Sequence, residues 1–128
     1  MDTSIIIAVI LNDKSKKNII RLTKGETLSA PASLQWEIGN AFSVLFKRGQ
    51  LDIHDAKRAL NYYREIPVRF IDIDINNSLE IADRYKIYAY DAYFIATAKD
   101  LNLPLCSLDN KLLAIAREEG LKIIEVDV

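Results

Sequence analysis

An α/β layer fold with a mostly parallel sheet is what this chain predicts, on three observations. Short runs rich in β-formers alternate with longer stretches of helical periodicity. The breaks between them fall on Gly49, Pro67, Pro104 and Gly120, residue types that stop helices. The 128 residues, half of them hydrophobic, suffice for one compact domain spanning 1–128 and leave little room for a second.

The elements follow in order. IIIAVIL (5–11) has two readings: its β-branched residues favour a buried strand, whereas Asp2, Thr3 and Ser4 in front of it form a helix-capping cluster. Leu34, Ile38, Phe42 and Leu45 recur at helical spacing, which predicts a helix over 33–49 with Ser33 as its N-cap and Gly49 at its end. Residues 53–66 predict a second amphipathic helix, stopped by Pro67. VRFIDID (68–74) alternates and reads as a strand, with a helix following over 77–86. A helix over 90–102 is broken by Pro104, and PLCSL (104–108) reads as a short buried strand. Asp109 is placed to cap a helix over 110–120, and KIIEV (122–126) closes as a strand.

Composition removes several chemistries. Net charge is −1, so any nucleic-acid surface must be a local basic patch. The single cysteine, Cys106, excludes an intramolecular disulfide and any cysteine-based zinc cluster, and makes a reducing cytoplasm the default compartment. The single histidine, His54, excludes two-histidine acid–base catalysis and reads as a surface helix residue. The four glycines form no phosphate-cradling loop. IIIAVIL is too short to span a bilayer and lacks the flanks of a signal peptide, so no membrane association is expected.

What remains is carboxylate chemistry. Of eighteen acidic residues, Asp83, Asp100, Glu118 and Glu119 share faces with Lys or Arg and read as solvated, and Asp72 and Asp74 suit an exposed sheet face or the start of the next helix. Asp2, Glu37, Asp91 and Asp109 instead sit among apolar neighbours. Each alone has a bland explanation: Asp2 and Asp109 as helix caps, Glu37 and Asp91 as partners of a helix dipole. Together they fall at strand ends and first helical turns, positions that face one edge of a parallel sheet. Four carboxylates gathered there repel one another unless a cation neutralises them. Oxygen-only ligands suit Mg2+ or Mn2+, and the implied chemistry is metal-activated water attacking a phosphodiester.

These residues carry a resemblance. DTS (2–4), QWEIGNAF around Glu37, YDAYFIATAKDLNLPLCSLD (90–109) and the final strand together resemble a PIN domain, closest to the small ribonuclease toxins of VapBC-type toxin–antitoxin pairs. The resemblance covers essentially the whole chain. It implies a three-layer α/β/α domain with a central, mostly parallel, twisted sheet flanked by helices, and a helix for the run after DTS. It implies that Asp2, Glu37, Asp91 and Asp109 hold Mg2+ or Mn2+ for RNA cleavage, with Asp2 and Asp91 as direct ligands. Thr3 or Ser4, and Ser107, then act as hydrogen-bonding supports of the ligands. A homodimer and a small antitoxin covering the acidic site are implied as well. The chain departs from the family pattern in having only Met1 before Asp2, where the family carries its first strand. Either the natural start lies upstream or a stub holds Asp2.

Lys14, Lys17, Arg21 and Lys24 form one basic stripe, read either as an RNA-backbone contact or, more economically, as a solvated helix face. Lys47 with Arg48, and Arg84 with Lys86, carry the same two readings. Trp36 and the tyrosines at 62, 63, 88, 90 and 93 could stack bases, although core or interface roles fit most of them. The leading expectation is a metal-dependent endoribonuclease. The alternatives are a PIN-like module that binds RNA or a partner without cleaving, and a housekeeping RNA-processing nuclease.

Overall fold

The computed structural model describes residues 28–124. Asp2, Thr3, Ser4, the IIIAVIL run, the stripe from Lys14 to Lys24 and the end of KIIEV lie outside them. The described strands form two parallel ladders. In the first, β1 (Leu28–Pro31) pairs with β2 (Val68–Ile71), Leu28 opposite Val68 and Pro31 opposite Ile71. In the second, β3 (Leu105–Cys106) pairs with β4 (Ile123–Ile124). Parallel neighbours need a crossover, and helices supply both. α1 (Leu34–Lys47) and α2 (Ile53–Glu65) connect β1 to β2, while α5 (Asn110–Glu118) connects β3 to β4. Between the ladders in sequence lie α3 (Ile75–Tyr85) and α4 (Ala89–Leu101).

α4 organises the core. It packs against β1, β3 and α3, so it is buried almost all round: Ala92, Phe94, Ile95, Ala96, Thr97 and Ala98 are all buried. Small residues on such a helix let neighbouring backbones approach closely. Around it gather Leu34, Ile38 and Phe42 of α1, Ile81 of α3, Leu105 of β3, and Leu112, Leu113 and Ile115 of α5.

Helix ends follow their local chemistry. Asp52 caps α2 by accepting from the Asp55 N–H at 2.8 Å. Asp74 caps α3, accepting from the Asn77 N–H at 3.1 Å, so that helix starts at Ile75 and the strand predicted over 68–74 ends at Ile71. α3 and α4 both end on a left-handed residue, Lys86 (φ 54°) and Asn102 (φ 52°). The apolar residue after each folds back: Ile87 N–H donates to Ala82 C=O and Leu103 N–H to Ala98 C=O.

Two polar details depart from expectation. Glu119, read from sequence as solvated, is only 9% exposed in its side chain, where it accepts from Arg84 Nη1 at 2.6 Å and faces Lys99 Nζ at 3.6 Å. It thereby ties the end of α5 to α3 and α4. Tyr63 of α2 buries its hydroxyl without a hydrogen-bond partner among the described residues, and burial pushes its phenol above the ordinary tyrosine value. A buried hydroxyl left unpaired costs about 1–3 kcal/mol. Tyr63→Phe is therefore expected to hold or raise stability, by up to about 1 kcal/mol in urea denaturation. A loss of more than that would show that the hydroxyl does have a partner in solution.

Candidate active site

Three of the four predicted carboxylates lie within the described residues, and each sits where a helix begins. Glu37 is in the first turn of α1, Asp91 in the first turn of α4, and Asp109 caps α5. The positive end of each helix dipole stabilises the carboxylate placed there. Glu37 and Asp109 also follow the carboxyl ends of β1 and β3, the edge at which parallel α/β folds bind ligands.

Asp91 and Asp109 come together. Both line one cavity of about 330 Å³, along with Lys86, Tyr88 and Lys111. Capping occupies only one oxygen of Asp109 among the described residues. Its Oδ1 accepts from the Lys111 N–H at 3.0 Å and the Leu112 N–H at 3.3 Å, which leaves Oδ2 without a bond to the described residues. The turn that carries it is fixed from below: Ser107, 1% exposed, accepts the Asp109 N–H on its hydroxyl at 2.9 Å.

Glu37 lines a neighbouring cavity of about 400 Å³ with Trp36, Asn40, Ala41 and Tyr90, the last being the residue before Asp91. Its support was misread in the sequence. Ser33 stands at the N-cap position of α1 but has helical backbone angles (φ −62°, ψ −17°) and makes no capping bond. Its fully buried hydroxyl instead donates to Glu37 Oε2 at 3.3 Å. The signal was present as a Ser four residues before a Glu, but the capping rule claimed it first.

Of two cations at the Asp91–Asp109 cavity, one was missed in the sequence and the other named. Lys111, which no sequence signal had singled out, lines the Asp91–Asp109 cavity and makes no ion pair with a described residue. Lys86 reaches the same cavity from its left-handed position and pairs with Asp83 at 2.7 Å, both side chains well exposed. That bond and the ammonium charge hold the Asp83 carboxyl below the usual carboxylate range. The aromatic residues flanking the clefts are not core: Trp36 is 65% exposed, Tyr88 85% and Tyr90 52%.

Among the described residues no three carboxylates form a ready-made metal cluster, and Asp2 lies outside them. The donor set nevertheless has the right chemistry. Oxygen atoms from Asp91 and Asp109 at one cavity suit a hard divalent cation that keeps part of its water shell, whereas Glu37 lines the other cavity.

A parallel α/β domain with carboxylates following the carboxyl ends of its strands defines an acid-lined α/β scaffold, and the comparisons narrow it. The PIN domain family model matches residues 1–124, and the chain belongs to the PIN-domain family. Among curated proteins it is similar to Ribonuclease VapC9 of Mycobacterium tuberculosis (strain ATCC 25618 / H37Rv) and to VapC ribonuclease Mb0985 of Mycobacterium bovis. Each is 32% identical over 114 residues, which is 88% of this chain and 86% of theirs. Among solved structures, the crystal structure of PAE2754 from Pyrobaculum aerophilum matches with a TM-score of 0.71. That match covers 95% of this chain and 80% of the other at 21% identity, a likeness of fold.

Proposed function

We propose that this chain is a metal-dependent endoribonuclease, the toxin component of a toxin–antitoxin pair, which hydrolyses RNA phosphodiester bonds with Mg2+ or Mn2+. The observation that carries the reading is the shared cavity of Asp91 and Asp109, carboxylates from two helix starts brought to one strand edge. Similarity to proteins named VapC ribonucleases supports the substrate class. Asp91, Asp109, Glu37 and Asp2 would hold the ion, which when bound activates water and stabilises the leaving oxygen.

The chain's own groups do the rest. Lys86 and Lys111 place positive charge beside the carboxylates and can hold a phosphate in register. Ser107 and Ser33 fix Asp109 and Glu37 through hydrogen bonds, so less order must be imposed when substrate arrives. No 2′-hydroxyl nucleophile is required, and the expected product carries a 5′-phosphate. Residues Val44, Phe46 and Ile53 leave exposed apolar surface on α1 and α2 that suits a homodimer. Among the described residues no helix is long and apolar enough to cross a membrane. A cytoplasmic protein partnered by a small antitoxin is the fitting context.

Purified protein incubated with a mixed single-stranded RNA pool and Mn2+ is expected to cut, and EDTA to stop it. Mn2+ should also raise the melting temperature, since a ligand at a hundred times its Kd stabilises by about 2.7 kcal/mol. Melting unmoved by saturating Mn2+, with no cleavage, would overturn the nuclease reading and leave a binding module.

A further inference from the structure

We propose that the cavity lined by Trp36, Glu37, Asn40, Ala41 and Tyr90 is a nucleobase subsite, in which one unpaired base of an RNA strand stacks beside the carboxylates. The inference rests on the ribonuclease reading and names how its substrate is gripped.

Trp36, Glu37, Asn40 and Ala41 recur at one- and four-residue steps, so they form a single stripe along the first turns of α1. Tyr90 brings the opposing wall from the first turn of α4. Folding gains little from these aromatics where they stand, Trp36 being 65% and Tyr90 52% exposed. Tyr90 nonetheless packs against a neighbour, its ring set edge-to-face on Tyr93 at 5.8 Å and 90°. A positioned aromatic face open to solvent is a stacking platform. Every base has a π-face to lay on it, and single-stranded RNA is gripped in this way.

Asn40 adds a carboxamide, which can both donate to and accept from a base edge. The volume, about 400 Å³, lies within the range of small-ligand pockets. Position completes the case. Glu37 lines this cavity, and Tyr90 is joined through the backbone to Asp91 of the other one. A base seated here is attached to a phosphate within reach of the acidic cleft, as a strand being cut requires. Duplex RNA keeps its bases stacked on one another, so the subsite selects for unpaired strands.

Trp36 is the only tryptophan in the chain and reports on its own cleft. In EDTA, its fluorescence is followed against a short single-stranded RNA and against an abasic ribose–phosphate chain of equal length. RNA should quench it and the abasic chain should not, with Tyr90→Ala weakening the RNA response. With Mn2+ present, Trp36→Ala should raise KM about ten- to a hundredfold with a much smaller change in kcat, and Trp36→Phe should restore most of the loss. Because Trp36 is exposed, both variants should melt as wild type does.

Equal quenching by the abasic chain overturns the subsite. So does unchanged KM in Trp36→Ala while wild type cuts RNA, an outcome that would assign the cleft to a protein partner's side chain and leave the nuclease standing. Base-dependent quenching without any metal-dependent cleavage would do the reverse, keeping the subsite and removing the nuclease.

Discussion

Asp91→Asn is expected to lose at least about a hundredfold in RNA cleavage while keeping its fold. Loss of a residue that merely orients a metal ligand costs about 10–100-fold, so loss of a ligand should reach or pass the upper end. The amide keeps the shape of the side chain and one oxygen, but it removes the negative charge that attracts the cation. The rise in melting temperature produced by Mn2+ should shrink as well, because an ion that no longer binds the folded state no longer stabilises it. Cleavage of a labelled single-stranded RNA, with melting curves in EDTA and in Mn2+, checks both. Wild-type activity in a folded Asp91→Asn protein would remove the carboxylate from the mechanism.

This prediction was legible before the structure because Asp91 and Asp109 belong to a continuous stretch, the helix from 90 and the strand that runs into Asp109. Local rules placed both at helix starts, where they are. Legibility ended where an element owes its existence to a distant partner. LSAP (28–31) has little β-propensity, and it is a strand because Val68–Ile71 pairs with it across two helices. Glu119 looked solvated beside Glu118, and its partner Arg84 is separated from it by 35 positions. Ser33 met every sequence condition for an N-cap, but its helical backbone angles keep its hydroxyl from the capping bond and turn it to Glu37. The cleft between Trp36 and Tyr90 is likewise a product of packing α1 near α4. The sequence announced the carboxylates and Ser107; only the fold could say that Ser33 turns to Glu37, that Lys111 lines the cavity of Asp91 and Asp109, and that Trp36 and Tyr90 share a cleft.

The largest effect on stability should come from Ile95, one turn along α4 from Asp91 and on the same face. Its side chain is 0% exposed, within the cluster that joins α1, α4, β3 and α5. Truncating a buried Ile to Ala costs about 2–5 kcal/mol, the spread reflecting how far the surroundings collapse. Collapse is restricted here. α4 touches β1 and β3 and cannot move toward one without leaving the other, and its neighbours Ala92 and Ala96 are too small to reach into the gap. Ile95→Ala should therefore fall in the upper half of that range, a large share of the about 5–15 kcal/mol that holds a domain of this kind. Ile95→Val removes a single methyl and should cost about 0.5–1.5 kcal/mol. Urea denaturation at 25 °C measures both, with unchanged m values showing that the same surface is exposed on unfolding. An Ile95→Ala cost below about 1 kcal/mol would mean that α4 is not clamped between the ladders. The support that places Asp91 at the cleft would then have to come from another part of the fold.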